Sequence, residues 1–170
     1  MKTKIYAIPG TFCNETMWSE LEKSLPSNIE LINIDMPEKD SVSEIVEVLA
    51  EQLPKEPSLL IGFSFGGYLM SAFALKYPQR VEKLLVISDA LNKLSDEDVS
   101  GRKQFVDYTK SEGFSGISQE MASGALHPNR INDTQLHEKI MVMSQSMSAE
   151  SAQKQMLATT TREDINRYRS

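Results

Sequence analysis

Gly62-Phe63-Ser64-Phe65-Gly66 sets a serine between glycines two residues before and two residues after it. The apolar run Leu59-Leu60-Ile61 leads straight into it, and a helix-compatible stretch, Gly67 to Tyr77, follows at once. A serine in that context sits at a strained strand-to-helix turn with its hydroxyl exposed. The flanking glycines are needed because side chains there would collide as strand and helix converge. The chemistry such a residue does is nucleophilic attack on an acyl carbonyl, and a serine hydroxyl needs a neighbouring base to do it. The sequence holds two histidines, His127 and His137. His127 precedes Pro128 in a loop, where a structural or solvent-exposed role suits it. His137 lies within a helix beside an apolar stripe and reads as a surface-helix residue. Both are weak candidates for the base. The single cysteine, Cys13, has no adjacent activating signal and reads as structural.

The elements that must position Ser64 alternate in type. Ile5 to Ile8 reads as a buried strand ended by Pro9-Gly10. From Asn14, Met17, Trp18, Leu21 and Leu25 have helical spacing, and Pro26 stops the run. Ile29 to Ile34 is a second strand, closed by Asp35-Met36-Pro37, with Asp35 as a polar strand end. Ser41 and Glu44 form a capping-box pattern ahead of an amphipathic helix through Val42, Ile45, Val46, Leu49 and Leu53. Ser58 to Gly62 is the strand before the serine, and Val81 to Ser88 is a fourth. Strands alternating with helices predict an α/β fold, a three-layer parallel sheet covered on both faces.

Beyond Asp89 the pattern changes. Residues 92–170 show no convincing strand and read as several helices, one of them starting at Ser95 with Asp98. Leu136, Ile140, Met143 and Met147 form an apolar stripe, and five of the nine methionines fall in this stretch. Such a stripe is ordinary helix packing or, more pointedly, a lid over an apolar pocket for acyl groups. The expected organisation is therefore one domain, with a four-stranded core over residues 1–91 and a helical cap over 92–170.

Composition narrows the partners. With 18 basic against 24 acidic residues, a net charge of −6 and no block of Lys or Arg, nucleic acid and anionic membrane are disfavoured. No metal-ligand cluster is visible and no cofactor is implied. The apolar run after Lys2 and Lys4 is too short for a signal peptide, and no segment approaches a membrane span. The default compartment is the cytoplasm, and the expected partner is a small-molecule ester or acyl substrate.

Together these residues resemble the α/β-hydrolase superfamily, in particular the small bacterial serine esterases with a helical cap. The elbow Gly62-Phe63-Ser64-Phe65-Gly66-Gly67 carries the likeness most specifically. Ile8-Pro9-Gly10-Thr11-Phe12 up to Trp18 is similar to the family's oxyanion loop, with proline in place of the common histidine. Gln155 to Asp164 resembles the last cap helix and the turn back to the sheet. The resemblance implies that Ser64 is the nucleophile and that the backbone N–H groups of Phe65 and Thr11 form the oxyanion hole. Phe12 is the alternative second donor if the loop is shifted by one. It further implies two more strands after the cap, bearing the catalytic acid and histidine, where this sequence reaches Ser170. Asp89, at the end of the fourth strand, stands where some members of the superfamily carry their acid, although a plain polar strand end fits it as well.

Two functional readings follow. One is a serine hydrolase of a small carboxylic ester or thioester. The other is a catalytically incomplete relative that binds an apolar ligand or is completed by another polypeptide. The coding sequence after Ser170 discriminates them. The family's strand order also puts the fourth strand at an uncovered edge, so self-association through Val81–Ser88 is expected.

Overall fold

The computed structural model describes residues 2–166. Four strands form one sheet: β1 (Thr3–Ile8), β2 (Ile29–Asn33), β3 (Ser58–Phe63) and β4 (Val81–Ile87). Their order is β2-β1-β3-β4 and every pairing is parallel. Helices α1 (Ser19–Ser24), α2 (Val42–Gln52) and α3 (Phe65–Lys76) fall between the strands. Parallel neighbours need crossovers, which is why strand and helix patterns alternate along the sequence.

The two faces of the sheet are covered unequally. Tyr6 and Ile8 of β1, Leu60 of β3, and Leu84 and Val86 of β4 point to the face packed by α2 and α3. Helix α3 buries Phe65, Tyr68, Leu69, Met70 and Phe73 there, so it is apolar nearly all round and forms the centre of the core. On the opposite face, Ala7 and Ile61 meet Trp18, Met17 and Leu21 from the segment around α1. That cover stops short of β4, where Leu85 is 56% and Ile87 37% exposed.

The helix expected from Asn14 is two pieces, a 3-10 turn over Glu15–Trp18 and the short α1. Asn14 causes the tight start, because its side chain accepts the Thr16 N–H at 3.0 Å. The capping signals at Ser41 and Ser95 both act as N-caps in the structure. Helices α4 (Asp96–Glu112), α5 (Gln119–Gly124), α6 (Thr134–Gln145) and α7 (Ala149–Thr159) follow β4. The last three start at Ser118, Asp133 and Ser148, each accepting a first-turn N–H through its side chain.

These four helices form a second apolar cluster around Phe12, from the loop at the carboxyl end of β1. Val106, Ile117, Ala122, Ala152 and Met156 are its buried members, with Met141 and Met147 packed against them. Met121 departs from the methionine pattern and is 41% exposed. After α7 the chain returns to the core. The Ile165 N–H donates to the Leu91 carbonyl at 3.0 Å. Tyr68 Oη lies 2.7 Å from the Glu163 nitrogen and 2.9 Å from its carbonyl oxygen.

Candidate active site

Ser64 stands between β3 and α3 with φ 49° and ψ −126°, a backbone conformation that side-chain-bearing residues rarely adopt. Its neighbours hold it there. The Ser64 N–H donates to the Ile87 carbonyl at 2.8 Å, and its own carbonyl accepts the Tyr68 N–H at 3.1 Å. The glycines make the turn physically possible. A Cβ at Gly62 would lie 2.4 Å from the Gly66 carbonyl oxygen, and one at Gly66 would lie 2.4 Å from that of Pro9. Strand, helix and the loop after β1 therefore converge on Ser64. Its hydroxyl makes no capping bond to α3. Among the described residues the side chain is left without a hydrogen-bond partner, at the positive end of a helix dipole.

The loop after β1 lies directly against this turn. A Cβ at Gly10 would meet the Phe63 ring at 2.8 Å and Ser64 Cβ at 3.2 Å. Covalent geometry then limits the Thr11 nitrogen to within about 7 Å of Ser64 Cβ. Gly10 to Cys13 is a tight turn, closed by the Cys13 N–H donating to the Gly10 carbonyl at 3.1 Å, with Phe12 at φ 62°. The Phe12 N–H donates to Gln155 Oε1 at 2.9 Å. Among the described residues, the N–H groups of Thr11 and Phe65 have no protein acceptor. The Phe12 ring packs on Phe114 and Phe105 at centroid separations of 5.6 and 5.5 Å.

The remaining site candidates are held elsewhere. His127 caps a 3-10 turn, its Nδ1 accepting the Asn129 N–H at 3.2 Å. His137 is not on the surface as expected. It is 9% exposed, and its Nε2 lies 2.7 Å from the Ile131 carbonyl. A carbonyl only accepts, so Nε2 carries the proton. Helical spacing predicts α6 itself, whereas the burial of this position comes from tertiary packing, in which α6 meets α5. Neither histidine bonds to the Ser64 hydroxyl.

Asp89 pairs with Arg162 at 2.7 Å, the two side chains being only 5% and 9% exposed. It also accepts the Leu91 N–H, while the Arg162 guanidinium stacks 4.2 Å over the Tyr68 ring. Asp35 accepts from the Asn33 side chain at 2.8 Å. Burial pushes the Cys13 thiol up to about 11, which suppresses the thiolate. No group of three or more His, Cys, Asp or Glu suited to a metal occurs among the described residues.

The residue that sequence reasoning passed over is Gln155. Ala152, Gln155, Met156 and Thr159 share one buried helical stripe, and a glutamine on such a stripe was the available signal. Beside it a small cleft of about 170 Å³ opens between the loop after β1 and α7, lined by Pro9, Cys13, Met147 and Gln155 among others.

Known proteins resemble this chain in sequence and in fold. A family model described as the alpha/beta hydrolase fold matches residues 17–122. Pimeloyl-[acyl-carrier protein] methyl ester esterase of Nitrosospira multiformis is 33% identical over 104 residues, covering 52% of this chain and 39% of that protein. Human monoacylglycerol lipase ABHD6 is 28% identical over 106 residues, covering 52% of this chain and 31% of the lipase. The match thus spans roughly a third of the length of these relatives. Among solved structures, an esterase from Thermogutta terrifontis superposes with a TM-score of 0.83 at 20% identity, over 99% of this chain and 67% of the esterase. An enol-lactonase from Burkholderia xenovorans superposes at 0.77 and 15% identity, over 96% and 67%. At those identities the superpositions speak for the fold, whereas the family model, matching well over half the sequence, settles the kinship: this chain belongs to the α/β-hydrolase fold family.

Proposed function

We propose that this chain carries the nucleophile and oxyanion hole of a serine hydrolase that cleaves a small carboxylic ester or thioester. The observation that carries the reading is the Ser64 turn itself. A serine with positive φ, fixed through its backbone at both ends, keeps its hydroxyl uncommitted among the described residues, where two N–H groups also lack acceptors. In the reaction, Ser64 Oγ bonds to the acyl carbon and the carbonyl oxygen takes the negative charge, met by the N–H groups of Phe65 and Thr11. The leaving group departs with a proton, and water then cleaves the acyl-serine. Helices α4–α7, docked on the loop after β1, act as a lid over the carboxyl ends of the strands.

The base is the missing part of this set. Both histidines are engaged within the carboxyl-terminal helices, and Asp89 is neutralised by Arg162. That observation favours the second reading, an incomplete hydrolase that needs another polypeptide segment to supply histidine and acid. Losing the histidine of such a triad can cost about a millionfold in turnover. Cleavage of p-nitrophenyl acetate separates the possibilities. The chain alone is expected to stay near background. A segment carrying the acid and histidine of the family should raise turnover, and Ser64→Ala should abolish the gain. Robust Ser64-dependent turnover without any added segment would overturn the assignment of the base and point back to His127 or His137.

A further inference from the structure

Gln155 is 7% exposed, on a helix whose other buried residues are mostly small or apolar. Its carboxamide oxygen reaches across 143 positions of sequence to accept the Phe12 N–H at 2.9 Å. The turn it touches is unusual. With Gly10 as its first residue and Cys13 as its last, Phe12 is the third, and its φ of 62° is the mark of a type II turn. That position ordinarily holds glycine or asparagine, because a bulky side chain resists the left-handed region.

Type I and type II turns differ by a flip of the peptide between the two central residues, here Thr11 and Phe12. Phenylalanine favours type I, in which the Phe12 N–H would point the other way. Ring packing against Phe105 and Phe114 is not directional enough to choose between them. A hydrogen-bond acceptor fixed on α7 is. Gln155 also occupies the position that an oxyanion would take if Phe12 were the second donor.

We propose that Gln155 is the positioning residue of the oxyanion loop: from α7 it holds the Thr11–Phe12 peptide in the flipped state, leaving Thr11 as the donor available to the substrate and tying that geometry to the docking of the carboxyl-terminal helices. The idea rests on the hydrolase reading of Ser64. It also assigns α7 a task beyond covering the site, since any movement of α7 away from β1 would release the turn.

The test uses the full chain, 15N-labelled, with phenylboronic acid as a probe that forms a tetrahedral adduct on an active serine. Gln155→Leu keeps the bulk without the acceptor, Gln155→Glu keeps an acceptor, and urea unfolding verifies that each variant is folded. The Phe12 amide is expected to exchange about tenfold faster or more in Gln155→Leu, with slow exchange restored in Gln155→Glu. Phenylboronic acid is expected to bind Gln155→Leu about tenfold more weakly than wild type, and Gln155→Glu about as well as wild type. Equal binding by Gln155→Leu would overturn the proposal. Tighter binding would also overturn it, making Phe12 the donor and Gln155 a plug. If wild type itself fails to bind the probe, the missing base at Ser64 accounts for it, and the Phe12 amide alone decides the proposal. Exchange unchanged in Gln155→Leu means that Gln155 does not hold the loop, whereas faster exchange rescued by glutamate means that it does.

Discussion

A serine before the first turn of a helix ordinarily bonds an N–H of that turn, and replacing such a cap by alanine costs about 1 kcal/mol. Ser64 makes no bond of this kind, and its φ of 49° is strained for serine and alanine alike. Ser64→Ala is therefore expected to leave stability within about 0.5 kcal/mol of wild type in urea unfolding. A loss of 1 kcal/mol or more would show that the hydroxyl has a structural partner. This residue was legible in sequence because its geometry demands glycines, and collisions at Gly62 and Gly66 are what any side chain there would meet. Gln155 was not legible in the same way. Its role depends on a contact 143 residues away, which no local spacing encodes.

Among the elements, the loop after β4 shows how a candidate acid becomes a structural one. Asp89 holds Arg162, Arg162 lies on Tyr68, and Tyr68 meets the Glu163 backbone, so the returning segment is clamped onto α3. Asp89→Asn would leave the guanidinium largely buried without its counter-charge. The expected cost is about 3 kcal/mol or more, read as a shift in the urea midpoint. A loss below about 1 kcal/mol would mean that Asp89 is not structural and restore it as a candidate acid. Sequence could place Asp89 at a strand end, but its partner is 73 positions away. Strand and helix types were clear from periodicity and capping residues, whereas strand ends and the 3-10 turn at Glu15 depended on side-chain bonds such as that of Asn14.

For the whole molecule, β4 is the exposed feature. It pairs only with β3 among the described strands, and Leu85 and Ile87 stand on a face that the α1 segment does not reach. An unpaired apolar edge invites another strand. The 170-residue chain is expected to self-associate at micromolar concentrations, and Leu85→Lys to shift it towards monomer in sedimentation velocity. A wild-type chain that is monomeric throughout would rule this interface out. The apolar run Leu84-Leu85-Val86-Ile87 made the strand legible, while its exposure followed from which helices exist to cover it. The central claim concerns Ser64, and an activated ester tests it most directly. With p-nitrophenyl acetate the leaving group needs no acid, and an added segment carrying the family's acid and histidine supplies the base that takes the Ser64 proton. Ser64 Oγ then takes the acetyl group as p-nitrophenolate departs, and an acid quench traps the acyl-serine before water cleaves it. Peptide mass spectrometry is expected to find acetyl-Ser64 in the wild-type chain mixed with that segment, and none in the chain alone. Acetyl groups confined to lysines, equally in wild type and Ser64→Ala, would contradict the account.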